Sequence, residues 1–151
     1  MADRFRLGLL VLLILALAGC AEMGGTVRTE TVFTLEVVNN TAGELARVGC
    51  TYYLDGTERG GCEVIPADET TFGWGASVEI PFDDRMLSPE ESESAFAVAL
   101  SLQLPDGRRF VAGERTPLIP GAGDIRCTLT GSAETGFLTD WEPVPEGEAD
   151  E

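Results

Sequence analysis

The sequence predicts an all-β domain: an antiparallel two-sheet, immunoglobulin-like sandwich of about seven strands, preceded by a signal-peptide helix. Three observations carry this expectation. Apolar residues in the body recur at every second position, as in strands with one buried face. Asp-Gly and Pro-Asp-Gly signals fall between those runs. An unbroken apolar stretch near the N-terminus stands apart from everything after it.

The chain opens with Asp3, Arg4 and Arg6, followed by the apolar run Leu7 to Ala18. A membrane-spanning helix needs about 20 such residues, so this run is too short to span and has the length of a secretory-signal core. It ends in Leu17-Ala18-Gly19-Cys20. That tetrapeptide resembles the lipobox of bacterial lipoproteins, in which an aliphatic and two small residues precede an acylated cysteine. The resemblance implies removal of residues 1–19 and lipidation of Cys20. Ala21, in place of an aspartate, implies an outer-membrane destination facing the periplasm. Residues 20–29 are then the lipidated terminus and tether; the nine residues after Cys20 reach about 30 Å at full extension.

Strands are expected in order along residues 30–139. In TVFTLEVV (31–38), Phe33, Leu35 and Val37 share a face. In ARVGCTYYL (46–54), Val48, Cys50, Tyr52 and Leu54 do so, with Tyr53 opposite. GCEVI (61–65) is a shorter candidate. FGWGASVEIPF (72–82) sets Phe72, Trp74, Ala76, Val78, Ile80 and Phe82 on one side. AFAVALSLQL (95–104) follows, then RRFVA (108–112) and IRCTLTG (125–131). Asp55-Gly56 and Pro105-Asp106-Gly107 mark hairpins. Ser88-Pro89-Glu90-Glu91 has the form of a capped helical turn. Residues 140–151, acidic and proline-bearing, read as a disordered tail pinned at its base by Trp141.

LEVVNNTAGELARVGCTYYLDG, VIPADETTFGWGASVEIPF and FAVALSLQLPDGRRFVAGERTPL, in that order, resemble the late-embryogenesis-abundant type 2 and FxLYD-like domains. The resemblance implies an immunoglobulin-like sandwich without catalytic residues.

Charge narrows the function classes. The chain has 10 basic residues, all arginine, against 26 acids, for a formal charge of −16. Asp3, Arg4 and Arg6 fall in the signal, so residues 20–151 carry −17. Such a surface repels nucleic acid. No histidine is present, which removes Ser-His-Asp and Cys-His catalysis and the common His-containing zinc sites. No catalytic residue, metal or cofactor is assigned.

With Cys20 acylated, Cys50, Cys62 and Cys127 remain, all at inward-facing positions. A Cys50–Cys62 disulfide is expected in an oxidising compartment, with Cys127 left as a buried thiol. The register is a constraint. A plain two-residue turn at Asp55-Gly56 would set Cys50 opposite Gly61, so direct pairing requires an odd loop or a bulge, which Gly60-Gly61 is suited to supply. Tyr53 is the candidate exposed aromatic for a partner. The acidic group Asp83, Asp84, Glu90, Glu91 and Glu93 has no calcium-loop spacing. The small residues Ala95, Ala97, Ala99 and Ser101 on one face of their strand suit either a docking partner or cover by the protein's own loops.

The resulting expectation is a non-enzymatic, lipid-anchored module that binds or scaffolds another envelope protein and is held to the membrane through its N-terminal lipid. Two alternatives are an accessory subunit of a secretion or surface-assembly system, and a calcium-dependent or carboxylate-based glycan-active protein.

Overall fold

The computed structural model describes residues 29–145 apart from 68–69, 89–90 and 92–93. The expected signal helix, Cys20, Glu90, Glu93 and the last six residues lie outside them. The described chain is all-β, with strands β1 (Thr31–Asn39), β2 (Arg47–Leu54), β3 (Thr57–Val64), β4 (Ser77–Asp83), β5 (Phe96–Gln103), β6 (Arg109–Leu118), β7 (Ile125–Ser132) and β8 (Gly136–Pro143). All eight belong to one sheet in the order β3-β2-β5-β6-β8-β7-β1-β4.

Two features of the expected architecture are corrected. There are eight strands, because residues 136–143 form β8, which takes in 140–143, expected as the start of a tail; Phe137, Thr139 and Trp141 share its inner side. Nor is the pairing antiparallel throughout, since β1 runs parallel to β7 over five residue pairs and β6 meets β8 in parallel at Ala112↔Phe137 alone. That single bridge joins two four-stranded halves. The halves face each other, because the rings of Phe33 (β1) and Phe82 (β4) meet those of Phe96 (β5) and Tyr52 (β2) from the far half. Phe33 and Phe82 stack at 4.7 Å, and Phe96 stands edge-on to Phe82 at 5.5 Å. Such pairs contribute about 0.5–1.5 kcal/mol each beyond simple burial.

Local chemistry explains the joints. Asp55 (φ 49°) and Gly56 (φ 80°) make the mirror-image turn that suits the strands' right-handed twist. Asp83 Oδ1 accepts from the backbone N–H groups of Arg85 and Met86 at 3.0 and 3.1 Å, which closes the turn after β4. The edge strands β3 and β4 carry blunting devices: Glu58, Arg59 and Glu63 on β3, Pro81 on β4.

One predicted strand begins in the wrong place. Residues 72–82 do not run straight; Phe72 bridges to Leu45, and β4 starts at Ser77. Between them Gly75, at φ 78°, donates its N–H to Asn39 O at 2.7 Å. A side chain there would be strained. The turn interrupts the alternation, which resumes in phase at Val78, and Trp74 within it is 78% exposed instead of facing inward.

Candidate functional site

The three thiols converge in the core. Cys50 on β2 and Cys127 on β7 are buried, and Cys62 on β3 is half-buried. Cys50 and Cys62 are direct cross-strand partners. A bulge between Tyr52 and Tyr53 sets Tyr52 opposite Gly60 and Tyr53 opposite Glu58, leaving Arg59 as the extra residue. The bulge expected beside Gly60-Gly61 is therefore present. Gly61 is required by close approach, since a Cβ there would lie 2.7 Å from Cys50 O. All three thiols are free in the structure, so the expected disulfide is not formed in it.

Burial pushes the Cys50 thiol up to about 12, with Cys62 and Cys127 adding to the rise. Cys127 is likewise pushed to about 12 by burial and then by Asp140, and burial raises Cys62. Protonated thiols are poor nucleophiles, so in this state the trio packs the core. The sign of its pH dependence follows. With folded values above unfolded ones, the thiols' contribution is complete below the unfolded value and is lost as pH rises toward 12. Under reducing conditions, unfolding free energy should fall above about pH 9 by up to about 1.4 kcal/mol per pH unit for each thiol. Urea titrations at pH 8 and 10.5 read this, and Cys127→Ala should flatten the decline; a flat profile in the parent would contradict the burial assigned to the trio.

Tyr53 is not the bare anchor expected. It is half-buried, and the Arg115 guanidinium carbon lies 3.7 Å above its ring. The face of β5 is taken up in part by the protein itself: Ala97 lies between Tyr53 and Pro117 in the ladders, and Ser101 Oγ fills the space that a Cβ on Gly49 would need.

The acidic group also serves the fold. Glu91 accepts from Ser88 Oγ at 3.0 Å and from Arg59 at 2.6 Å. The Ser88 bonds, ahead of Arg59, hold its carboxyl below the usual range. Among the described residues no group of three or more Cys, Asp or Glu is placed to hold a metal.

Sequence reasoning missed two features. Asn39, 2% exposed, is a buried polar plug: its amide nitrogen donates to the carbonyls of Gly43, Phe72 and Gly73, and its oxygen accepts from Thr41 N and Oγ1. The other is an apolar groove of about 260 Å³ where β6 and β8 part beyond their single bridge. Pro117, Leu118 and Ile119 line one wall; Ile125, Trp141 and Pro143 line the other. Pro117 fits within β6 because no β8 ladder there calls on its missing N–H. Ile119 is 74% exposed, and the buried Trp141 Nε1–H has no acceptor among the described residues. The parting of two strands remote in sequence creates this groove, and alternation within either strand gives no sign of it.

No family model matches the chain, and no curated protein matches it. Among solved structures, it is similar to a protein from Eubacterium rectale, at 19% identity over 86% of this chain and 99% of that one, with a TM-score of 0.46. It is also similar to the membrane-binding domain of pneumolysin, at 9% identity over 79% of this chain and 100% of that one, with a TM-score of 0.41. A third likeness, to a disulfide-locked mutant of intermedilysin with human CD59, covers 75% of this chain and 24% of that one at 12% identity and a TM-score of 0.39.

Proposed function

We propose that this chain is a lipid-anchored lipoprotein of the bacterial envelope whose domain is a non-enzymatic binding or scaffolding module. One observation carries the reading: Leu17-Ala18-Gly19-Cys20 closes an apolar run of signal length behind a charged opening. β1 begins at Thr31, which leaves a short tether between the lipid and the first strand. Several acyl chains together give durable anchoring, at about 0.8 kcal/mol per buried CH₂. Buried protonated thiols and carboxylates spent on turns and ion pairs support a binding role over catalysis.

The domain itself is read as a sandwich of immunoglobulin-like size, its two layers being β3-β2-β5-β6 and β8-β7-β1-β4, joined at one bridge. This arrangement goes with the resemblance to stress-protein and FxLYD-like domains. In an oxidising periplasm the cross-strand register of Cys50 and Cys62 suits closure to a disulfide, leaving Cys127 as a thiol.

Fractionation and intact mass test the proposal together. The parent should sediment with membranes, lack residues 1–19, and carry acyl mass on Cys20, with two hydrogens fewer than the fully reduced chain. Cys20→Ala should move the protein to the soluble fraction or leave it unprocessed. A parent chain that still begins at Met1 without acyl mass would overturn the anchor.

A further inference from the structure

We propose that the apolar groove between β6 and β8 is the face by which the domain rests on the neutral-lipid surface of its own membrane. The inference rests on the anchor reading and adds an orientation to it.

The argument is one of placement. The described chain begins at Thr29, and Thr31 pairs with Asp83 at the terminal end of β4. At that same end, Asp124 accepts from Thr34 N at 2.6 Å, and Val144 N donates to Asp124 O at 2.9 Å. The loop from Leu118 to Ile125, and with it the groove, therefore lies at the end from which a tether would emerge. Thr116 to Gly123 carries no charge in a chain with 26 acids. Val32, 37% exposed, adds an apolar residue beside the point of emergence.

Charge sets the tilt and the kind of lipid. The acidic residues of the turns at this end, Asp55, Asp83, Asp84 and Glu91, lie beside β2, β3 and β4, at the two margins of the strand order. The groove occupies its middle. Leaning toward the groove side brings Ile119 down and holds the carboxylates away. Asp124 and Glu142 beside the groove would resist anionic headgroups, so a zwitterionic surface fits. The Trp141 ring lines the groove while its Nε1–H is buried in the protein, so its emission reports on what enters the groove.

The two tryptophans mark opposite ends: Trp141 lines the groove, and Trp74 is tied to the far end of β1 through Asn39. The test places the full lipidated chain in phosphatidylcholine vesicles brominated high on the acyl chains. In Trp74→Phe protein the remaining Trp141 emission should be quenched; in Trp141→Phe protein Trp74 should not be. Ile119→Asp, at an exposed position, should abolish the Trp141 quenching while the protein still sediments with vesicles. Lipidated protein with unquenched Trp141, or with Trp74 quenched equally, overturns the docking and leaves the anchor standing. Material without acyl mass overturns both. A detergent-soluble dimer dispersed by Ile119→Asp, without quenching, assigns the groove to a second copy and overturns the proposal.

Discussion

Phe82→Ala should lower the stability of this domain by about 3–5 kcal/mol, the range for truncating a large aromatic in a packed core. Folded domains of this size hold about 5–15 kcal/mol in reserve, so much of that margin would go. The effect is concentrated at Phe82 because β4 is an edge strand paired only with β1, and its inward residues Val78, Ile80 and Phe82 hold it to the rest. Phe82 stacks on Phe33 and meets Tyr52 and Phe96 edge-on, so one deletion removes contacts to both halves. Thermal unfolding should show a drop of roughly 15 °C. Val111→Ala, at a 69% exposed position, should stay within about 0.5 kcal/mol. A Phe82→Ala loss no larger than that of Val111→Ala would mean that the two halves do not meet through these rings.

Much of the strand pattern was legible because alternation is a local signal. Phe33, Leu35 and Val37, and likewise Phe96 through Leu102, face the core as their spacing predicts. The cross-strand register of Cys50 with Cys62 was legible as a possibility, since the glycine pair could supply the bulge it needs, although the disulfide expected from it is not formed. What escaped was non-local or disguised. The acids and prolines around Trp141 masked β8, although Phe137 and Trp141 keep its period. Gly113 and Pro117 broke the apparent end of β6, which continues to Leu118. Trp74 followed the alternation on paper and left it at Gly75, whose positive φ is dictated by the contact with Asn39, 36 residues earlier. The parallel β1–β7 pairing and the groove depend on which strands become neighbours, and nothing in the period of one strand encodes that.

Asn39 offers the sharpest separation between a turn residue and a structural plug. As a turn residue, Asn39→Asp would be nearly silent, because aspartate is favoured in turns and preserves the acceptor for Thr41. As a plug, the same change replaces an amide donor with a carboxylate oxygen facing the carbonyls of Gly43, Phe72 and Gly73, at 3.1, 2.8 and 3.2 Å. Asn39→Ala, which deletes both functions, should cost about 2–4 kcal/mol from several buried groups left unpaired. Asn39→Asp should cost at least as much at pH 7, because an ionised group then has no donor in place of the lost amide. The two variants part company in acid. The introduced carboxyl has its folded value raised by burial and by the carbonyls around it, so its favourable contribution is present below the unfolded value near 4 and is lost as pH rises through the folded one. Lowering pH should therefore narrow the gap between Asn39→Asp and the parent, while the gap for Asn39→Ala should hold. Urea midpoints at pH 7 and pH 4 distinguish these outcomes. Equal and pH-independent losses in both variants would reduce Asn39 to a space-filling residue, and the closure of β1 against the loop before β4 would need another cause.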